Sequence, residues 1–374
     1  MTKAGVLFGG FGGVEVGMSQ AGIEPVWSIE RDPAIAAVAQ ANFEHKIIVA
    51  DILSVDPANL EAVDLLHASP PCPNFSNAKQ DAVETENDIA LARKVAEFVK
   101  VQRPRFFTLE NVPRYRKSDS WLKIIQPALY EAGYMVHAAL LNSADFGVPQ
   151  TRRRFIVRAV RGGFVPWLPQ AEPWPGWFQA IEDLISELPD SQFANWQWAL
   201  MPEELKTMVI ANGCYEKLVS RLASEPIFTL TANSNQAEIK AFIINSQNMN
   251  SSLTVRGENE PMFTIVSNML AKNSPPKAFI VGGQYQTANN AIRRIPQNRL
   301  SDEPIWTITA SEHGDTRVWL ETGRVVALNT RALARLQSFP DWYRLPDNRI
   351  LACKGIGNAV PPMWYQKLAE GLTR

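Results

Sequence analysis

Over the first 160 residues, short apolar segments alternate with stretches of helical periodicity, and this alternation strongly limits the folds open to the chain. A strand followed by a helix and then by another strand forms a crossover unit, which places consecutive strands parallel to one another. We therefore predict an α/β protein built on a doubly wound, mostly parallel sheet. The predicted strands span 5–10, 26–30, 46–51, 65–68, 106–112, 134–141 and 155–160.

The alternation ends after Arg161, where proline and tryptophan become frequent. Beyond it a short motif recurs three times, as Glu-Pro-Ile-Phe-Thr at 225–229, Glu-Pro-Met-Phe-Thr at 260–264 and Glu-Pro-Ile-Trp-Thr at 303–307. Polar loops separate these copies from strand-like segments, so this region should be mostly β. Helical patterns then return near the C-terminus. We predict a first domain over 1–161, a second, smaller domain over 162–324 and a return to the first domain over 325–374.

Composition and cysteine usage exclude several classes of protein. A hydrophobic content of 46%, a charged content of 20% and an N-terminus that resembles neither a signal peptide nor a membrane span predict a cytoplasmic protein without a membrane partner. The three cysteines, Cys72, Cys214 and Cys353, are scattered and form no C-x-x-C pair, and the four histidines are equally dispersed. We therefore expect neither a disulfide framework nor a metal site.

The net charge of −1 hides an uneven distribution of charge along the chain. Residues 93–161 contain fourteen Lys and Arg against five Asp and Glu. This segment could form a basic face. An ordinary solvated surface would have the same composition, so the asymmetry alone favours a nucleic-acid partner only modestly.

A glycine-rich loop follows the first predicted strand, with the sequence Gly9-Gly10-Phe11-Gly12-Gly13. Glycines at this position let the backbone approach a ligand at the start of the next helix. Glu30 ends the second strand, where it could accept hydrogen bonds from ribose hydroxyls, and Asp51 ends the third, where it could accept from an adenine amino group. The three features together suit an adenosine ligand. Glu15 stands where a G-x-G-x-x-G motif has its third glycine, which weakens the case for a nicotinamide dinucleotide but leaves it as an alternative.

A cysteine lies just beyond the fourth predicted strand. Pro70 and Pro71 cannot donate sheet hydrogen bonds, so the strand must end there and place Cys72 on a loop at the carboxyl edge of the sheet. Ligands bind at that edge in open α/β sheets. Glu110 ends the next strand and should reach the same edge. Buried packing is the commonest role of cysteine. These residues alone therefore leave open whether Cys72 has a function at a ligand site or only packs in the core.

Seven motifs, in order and at similar spacing, resemble those of the bacterial and phage cytosine-C5 DNA methyltransferases. The resemblance covers residues 5–160 and 325–370. It implies a Rossmann-like, S-adenosylmethionine-dependent catalytic domain with a smaller target-recognition domain. The motifs are Phe8-Gly9-Gly10-Phe11-Gly12-Gly13 with Glu30, Asp51, Pro70-Pro71-Cys72, Glu110-Asn111-Val112, Gln150-Thr151-Arg152-Arg153-Arg154, Arg335-Leu336-Gln337-Ser338-Phe339-Pro340 and Gly357-Asn358-Ala359-Val360.

The resemblance implies a catalytic role for four residues. Cys72 would add as a thiolate to C6 of cytosine, which makes the poorly nucleophilic C5 able to attack an electrophilic methyl group. Glu110 would hold the N3 and amino edge of the ring and protonate N3 as the adduct forms. Arg154 would bind O2 of the ring, with Arg152 as its near neighbour.

The implied cofactor is S-adenosylmethionine, with S-adenosylhomocysteine as product and no metal. Glu30 would bind the ribose, Asp51 the adenine amino group and Phe8 the adenine ring, while Asn358 would lie near the amino acid moiety. The full set of implied cofactor-binding residues is Phe8, Gly10, Phe11, Gly12, Gly13, Glu30, Asp51, Ile52, Pro71, Asn358 and Val360.

The implied substrate is duplex DNA, bound by a monomer, from which the target cytosine must flip out because an enzyme cannot reach a stacked base. Residues 162–324 would read the DNA sequence, and a companion restriction endonuclease is a further implied partner. Two alternatives stay open, an RNA cytosine-C5 methyltransferase and a catalytically silent DNA-binding relative. The sequence identifies neither the recognition site nor the base that removes the C5 proton.

The chain departs from the family pattern at three positions. Pro73 replaces a common glutamine after the cysteine, which affects the usual loop contact with DNA. Arg31 stands where an aromatic residue is frequent beside the adenine, and Ala359 replaces a common serine that could bond the cofactor.

Overall fold

The computed structural model describes residues 1–71, 84–191, 302–305 and 326–373, together with the backbone of eight strands between 208 and 327. A seven-stranded sheet with the order β3-β2-β1-β4-β5-β7-β6 forms its centre. The neighbouring strands are parallel except that β7 runs antiparallel to both β5 and β6. The predicted doubly wound, mostly parallel sheet is therefore confirmed. The strands are β1 Lys3–Leu7, β2 Glu24–Glu30, β3 Lys46–Val49, β4 Leu65–Ala68, β5 Phe106–Asn111, β6 Tyr134–Asn142 and β7 Arg153–Arg161.

The first and third predicted strands extend two or three residues too far at their C-terminal ends, and in each case local geometry ends the strand early. The first strand ends at Leu7 rather than Gly10, because Phe8 and Gly10 take positive φ angles of 63° and 58°, which an extended strand does not allow. The third ends at Val49, because Asp51 caps a short 3-10 turn. Both early ends lengthen the loops at the carboxyl edge of the sheet.

Helices cover both faces of the sheet, and their ends follow the expected capping chemistry. The Asp32 side chain accepts from the backbone of Ala34 and Ile35 in front of α2. Thr85 and Asp88 form a capping box at the start of α3. Within the described parts of the chain, no helix has the length and apolar content needed to cross a membrane. The helices are α1 Gly13–Gln20, α2 Pro33–Gln40, α3 Glu86–Gln102, a π-helical segment Ser120–Ile125 that continues into α4 Gln126–Glu131, α5 Thr330–Leu336, α6 Arg349–Asn358 and α7 Pro362–Thr373.

The C-terminal segment packs back onto the first helices of the chain. Trp364 and Leu368 of α7 share a buried cluster with Val14 and Met18 of α1. Residues of α5 and α6 form a second cluster with Phe11, Trp177 and neighbouring side chains. The chain thus returns to its own N-terminal half, which buries the apolar face of the last helix as its helical pattern requires.

Between the N-terminal sheet and the C-terminal helices, the described backbone contains eight strands from Met208 to Ala327. They form two four-stranded sheets with the orders β11-β10-β8-β9 and β13-β12-β14-β15. This agrees with the predicted mostly β character, while the domain boundaries at 161 and 324 remain predictions. The motif copies at 225–229 and 260–264 lie outside the described residues. The strands are β8 Met208–Asn212, β9 Leu218–Leu222, β10 Ile243–Ile244, β11 Val255–Arg256, β12 Ala278–Ala288, β13 Ala291–Leu300, β14 Arg317–Leu320 and β15 Val325–Ala327.

The contact between α1 and α7 yields a stability prediction. A Cβ atom on Gly17 would lie 2.5 Å from the Pro362 carbonyl oxygen and 2.9 Å from Tyr365 Cβ. Because a backbone oxygen cannot move aside cheaply, we expect Gly17→Ala to lower the free energy of unfolding by about 1–3 kcal/mol. Urea denaturation measures the change. Gly371→Ala is the matched control within α7, since its added Cβ meets nothing closer than 3.5 Å, and it should leave stability unchanged or raised.

Candidate active site

The glycine-rich loop forms one side of the site. Phe8, Gly10 and Gly12 all take positive φ angles, so the chain makes a tight turn between β1 and α1. A Cβ atom on Gly10 would meet nothing within 4 Å, so this part of the loop faces open space. The Gly10 N–H donates to Glu30 Oε2 over 2.9 Å. The loop backbone and the first predicted ribose ligand are therefore held together beside an open cradle.

Two carboxylates end adjacent strands at the same edge. Glu30 is the last residue of β2, and its second oxygen, Oε1, accepts from the Asp32 N–H over 2.8 Å. Asp51 follows β3, and its Oδ1 accepts from the Leu53 N–H over 2.9 Å. Glu30 and Val49 are register partners in the parallel pair of β2 and β3. The structure thus places at one edge of the sheet the two acids that the sequence predicts for an adenosine ligand, and Ile52, which follows Asp51, is buried.

The other residues of the loop pack inward. The Phe11 side chain is 1% exposed. Its ring packs so closely on Gly355 that a Cβ atom added to Gly355 would lie 2.2 Å from it. A Cβ on Gly13 would lie 2.3 Å from the Val360 carbonyl oxygen. The Phe11 carbonyl also accepts from the Tyr343 hydroxyl. Phe11 can therefore offer a ligand only its backbone, and its side chain together with Gly13 and Val360 fixes the loop against the C-terminal segment.

An ion pair marks the opposite side of the site. Glu110, near the end of β5, is only 8% exposed, and its Oε1 lies 3.1 Å from Arg154 Nε. Arg154 stands near the start of β7, which pairs with β5, and its Nη1 donates to the Arg153 carbonyl over 2.8 Å. The structure therefore joins two predicted catalytic side chains, from motifs 44 residues apart in the chain, at one edge of the sheet.

The Glu-Asn-Val motif also holds the entry to the cysteine loop. Asn111 Nδ2 donates to the Pro70 carbonyl over 3.0 Å, and its Oδ1 accepts from the Val112 N–H. Pro70 is buried and Pro71 is exposed, so the chain leaves the sheet at this point. Cys72 and Pro73 lie outside the described residues. The bond from Asn111 holds Pro70, two residues before Cys72, beside the strand that carries Glu110.

Arg152 occupies a different position from Arg154. It is 2% exposed, and its Nη1 donates to the Gly357 carbonyl over 3.0 Å. Next to it, Gln150 donates to the Gln337 side chain, whose Nε2 donates to the Ala359 carbonyl over 2.7 Å. These bonds join three motifs that are far apart in sequence. They also place Asn358, which is exposed at the end of α6, near the edge of the sheet that carries Glu110 and Arg154.

Comparison with known proteins identifies the family to which this site belongs. The family model described as C-5 cytosine-specific DNA methylase matches residues 3–374. The chain belongs to this family. DNA cytosine-C5 methylation is therefore its activity, and the family and fold imply the use of S-adenosylmethionine. The resemblance seen in the motifs is confirmed, which removes the nicotinamide alternative.

Curated relatives match over nearly the whole chain. A Type II methyltransferase, M1.HphI of Haemophilus parahaemolyticus, is 27% identical over 98% of this chain and 86% of its own length. M.XorII of Xanthomonas oryzae pv. oryzae is 26% identical over 96% of this chain and 81% of its own length. The solved structure of the Entamoeba histolytica methyltransferase EhMeth has a TM-score of 0.58 at 12% identity, covering 99% of this chain and 97% of that one. This last likeness concerns the fold.

The methyltransferase site contains contacts that sequence reasoning missed. His67 on β4 is buried, and its ring nitrogens hydrogen-bond to Thr108 Oγ1 at 2.8 Å and to Ser69 Oγ at 2.7 Å. Burial lowers the pKa of His67 to about 3, so the ring stays neutral. Thr108 in turn bonds the Tyr365 hydroxyl of α7. This chain of hydrogen bonds links the C-terminal helix to the residue before Pro70, and no sequence spacing indicates it.

Glu84 is a second residue that the sequence analysis did not single out. Its two carboxylate oxygens accept from the N–H groups of Asp119 and Ser120, both over 2.7 Å. A carboxylate on free N–H groups at a helix start is a favourable cap. It fixes the chain just after the cysteine loop.

Among the residues that the structure describes, no group of three or more His, Cys, Asp and Glu side chains could hold a metal ion.

Proposed function

We propose that this methyltransferase transfers a methyl group from S-adenosylmethionine to C5 of a flipped cytosine within a specific duplex DNA sequence, through a covalent bond between Cys72 and C6. The observation that carries the proposal is the Glu110–Arg154 ion pair beside the Asn111–Pro70 anchor. A proton donor, a cation for the ring oxygen and the start of the Cys72 loop then meet at one edge of the sheet. Each of these three groups takes part when the thiolate adds across the C5–C6 double bond of cytosine.

The residues would divide the proton and electron movements between them. The Cys72 sulfur bonds to C6, and the electron pair of the C5–C6 bond is stabilised by protonation of N3 from Glu110. Arg154 bonds O2 and keeps the carboxyl of Glu110 oriented toward the ring. S-adenosylmethionine, when bound, supplies an electrophilic methyl group on a sulfonium. Attack of C5 on the methyl group breaks the sulfonium–methyl bond and leaves S-adenosylhomocysteine. A base then takes the C5 proton, the C5–C6 double bond re-forms as the Cys72 thiolate is expelled, and the N3 proton returns to Glu110, which restores the neutral aromatic ring.

The geometry around the glycine loop fits the proposed cofactor. Gly10 faces open space, which leaves room for a ligand against the backbone. Glu30 and Asp51 then present carboxylate oxygens to hydroxyl and amino donors, the groups that an adenosine carries on its ribose and its base. Phe8, Ile52, Pro71 and Asn358 are proposed to complete the site.

DNA binding would use the basic residues at the same edge. Arg114, Arg116 and Lys117 follow β5 directly in a 3-10 turn, where Arg116 and Lys117 are exposed. Arg153 is exposed beside Arg154. Phosphate contacts of this kind supply sequence-independent affinity, which must offset the few kcal/mol spent in flipping the base. Residues 162–324 are proposed to read the sequence, with the protein acting as a cytoplasmic monomer beside a companion endonuclease.

A direct assay tests the proposed function. The purified chain is incubated with methyl-labelled S-adenosylmethionine and duplex DNA of mixed sequence, and the modified base is identified after digestion. We expect 5-methylcytosine in duplex DNA and little label in an RNA of the same sequence. Label found only in RNA would favour the RNA alternative. Absence of label from every substrate, despite cofactor binding, would favour a catalytically silent relative. Mapping methylated cytosines after expression in cells would then give the recognition sequence.

The cofactor site has its own prediction. Glu30→Ala removes the proposed ribose ligand and the acceptor for the Gly10 N–H, so affinity for S-adenosylmethionine should fall about tenfold to a hundredfold. Isothermal titration calorimetry on the DNA-free protein measures this loss. Glu24→Ala, at the exposed start of the same strand, is the matched control and should bind normally. Equal affinity of the two variants would remove Glu30 from the cofactor site.

A further inference from the structure

One buried acid next to the cofactor loop has no role in the proposed mechanism. Glu15 lies in the first turn of α1 and is fully buried; neither carboxyl oxygen makes a well-formed hydrogen bond, and the Ser28 hydroxyl is the side-chain donor that interacts with them. Oε1 stands 3.0 Å from the position that a Cβ on Gly9 would take, and Ser28 Oγ lies 3.4 Å from the same point. The carboxyl therefore lies directly beneath the loop that ends β1.

Among the residues that the structure describes, no cation faces Glu15. Ser28 and Glu30 of β2 face it, and His45, before β3, contacts the Ser28 hydroxyl at 3.3 Å. From the C-terminal segment, Tyr343 and Tyr365 interact with it electrostatically. Burial keeps His45 neutral by lowering its pKa to about 4, and it raises the pKa of both tyrosines. Glu15 thus shares its buried environment with neutral groups and one further acid.

An unpaired carboxylate in such a place is costly, because burial penalises the charged form. Burial, with a smaller contribution from Glu30, raises the pKa of Glu15 to about 8. The acid is therefore mostly protonated at pH 7 in the free protein. A positive charge brought to the other side of Gly9 would favour the ionised form, and the interaction would be strong because little water lies between the two groups.

The cofactor and its product differ in this charge. S-adenosylmethionine carries a sulfonium cation, whereas loss of the methyl group leaves a neutral thioether. We propose that Glu15 releases its proton to solvent when S-adenosylmethionine binds, and that its carboxylate favours the cationic cofactor over the neutral product. This inference rests on the proposed cofactor site. It makes Glu15 a specificity-determining residue that acts through charge from behind the loop.

Gly9 is what allows the charge to act at short range. A side chain there would push the carboxyl away from the loop, since its Cβ alone would lie 3.0 Å from Oε1. The pairing of glycine at 9 with glutamate at 15 therefore places a buried acid as close to the loop backbone as packing permits.

Calorimetry in buffers of different ionisation enthalpy tests the inference, because it counts the protons released on binding. At pH 7 the native protein should release more protons with S-adenosylmethionine than E15Q does, and the two should differ little with S-adenosylhomocysteine. At about pH 9, where Glu15 is ionised with and without the ligand, E15Q should also lose about tenfold of the preference for the cofactor over the product, the factor that corresponds to one unit of pKa. The ligand's own amino group titrates equally in both experiments and cancels in the difference.

The sign of the pH dependence follows from linkage. Below pH 8, binding must expel a proton, so the affinity of the native protein for S-adenosylmethionine, relative to E15Q, should rise with pH and level off above the pKa of free Glu15. Infrared spectroscopy gives a direct readout. The carbonyl stretch of a protonated carboxyl should disappear when the cofactor binds the native protein, and E15Q should lack this change.

The outcomes separate this inference from the proposed function. Failure of the native protein to bind S-adenosylmethionine would contradict the proposed cofactor site. Normal binding with equal proton release and equal cofactor preference in the native protein and E15Q would overturn the role of Glu15 alone. If E15Q does not fold, S28A keeps the carboxyl and removes the hydroxyl that faces it. Its proton release should then shift to higher pH, and an unchanged profile would likewise overturn the inference.

Discussion

Cys72→Ala should reduce methyl transfer to the background rate while leaving affinity for S-adenosylmethionine within about twofold of the native value. The thiolate is the only group in the proposed mechanism that bonds to C6, and without that bond C5 stays too weak a nucleophile to attack a methyl group. The cofactor residues do not depend on the thiol, because Glu30 ends β2 and Asp51 follows β3. Labelled methyl transfer to duplex DNA and calorimetry with the cofactor measure the two effects separately.

A covalent trap sharpens this prediction. Duplex DNA that contains 5-fluorocytosine has no C5 proton to lose, so the native enzyme should remain bonded to it after transfer and migrate as a larger species in a denaturing gel. Cys72→Ala should form no such species. Cys353→Ala is the matched control, because Cys353 is buried in the core cluster around α5 and α6, and it should form the adduct normally. Full activity of Cys72→Ala would contradict the covalent mechanism.

Arg154→Ala should lower kcat by roughly a hundredfold to a thousandfold, the usual cost of removing one donor that stabilises developing charge. It leaves the buried carboxyl of Glu110 without its partner at 3.1 Å and removes the proposed bond to O2 of the ring. Affinity for duplex DNA should change much less, because most of that affinity comes from phosphate contacts. Single-turnover kinetics and a DNA-binding titration distinguish the two effects.

Two further variants separate a role in chemistry from a role in folding. Arg153→Ala changes an exposed neighbour and should retain turnover, with at most a weaker dependence of DNA binding on salt. Arg154→Lys restores the positive charge but not the forked geometry of the guanidinium, so it should recover only part of the lost rate. A native rate in Arg154→Ala would place this residue outside the reaction.

Much of the candidate site was predictable from order along the chain. In a parallel sheet the carboxyl ends of the strands meet at one edge, so Glu30, Asp51 and Glu110 were expected to lie there from their positions alone. The structure brings all three to that edge. The early end of the first strand was not predictable in this way, because the left-handed turn at Phe8 violates the usual preference of a bulky residue.

What sequence alone could not supply are contacts between segments far apart in the chain. The bonds from Gln150 to Gln337 and from Arg152 to Gly357 join residues separated by 187 and 205 positions. The antiparallel pairing of β7 with β5 sets Arg154 against Glu110. No local propensity specifies these pairings, since they depend on how the whole sheet and the returning C-terminal segment pack.

The sequence by itself therefore determined the family, the succession of strands and helices along the chain and the chemical types at the carboxyl edge of the sheet. These depend on periodicity and on motifs that are local in the chain. Only the tertiary structure decided which side chains pair, which residues of the glycine loop face open space and which pack inward, and that the carboxyl of Glu15 is buried beneath Gly9 with no described cation beside it. The physical reason is that burial, and with it the cost of a charge, is set by neighbours that the folded chain brings together from distant positions.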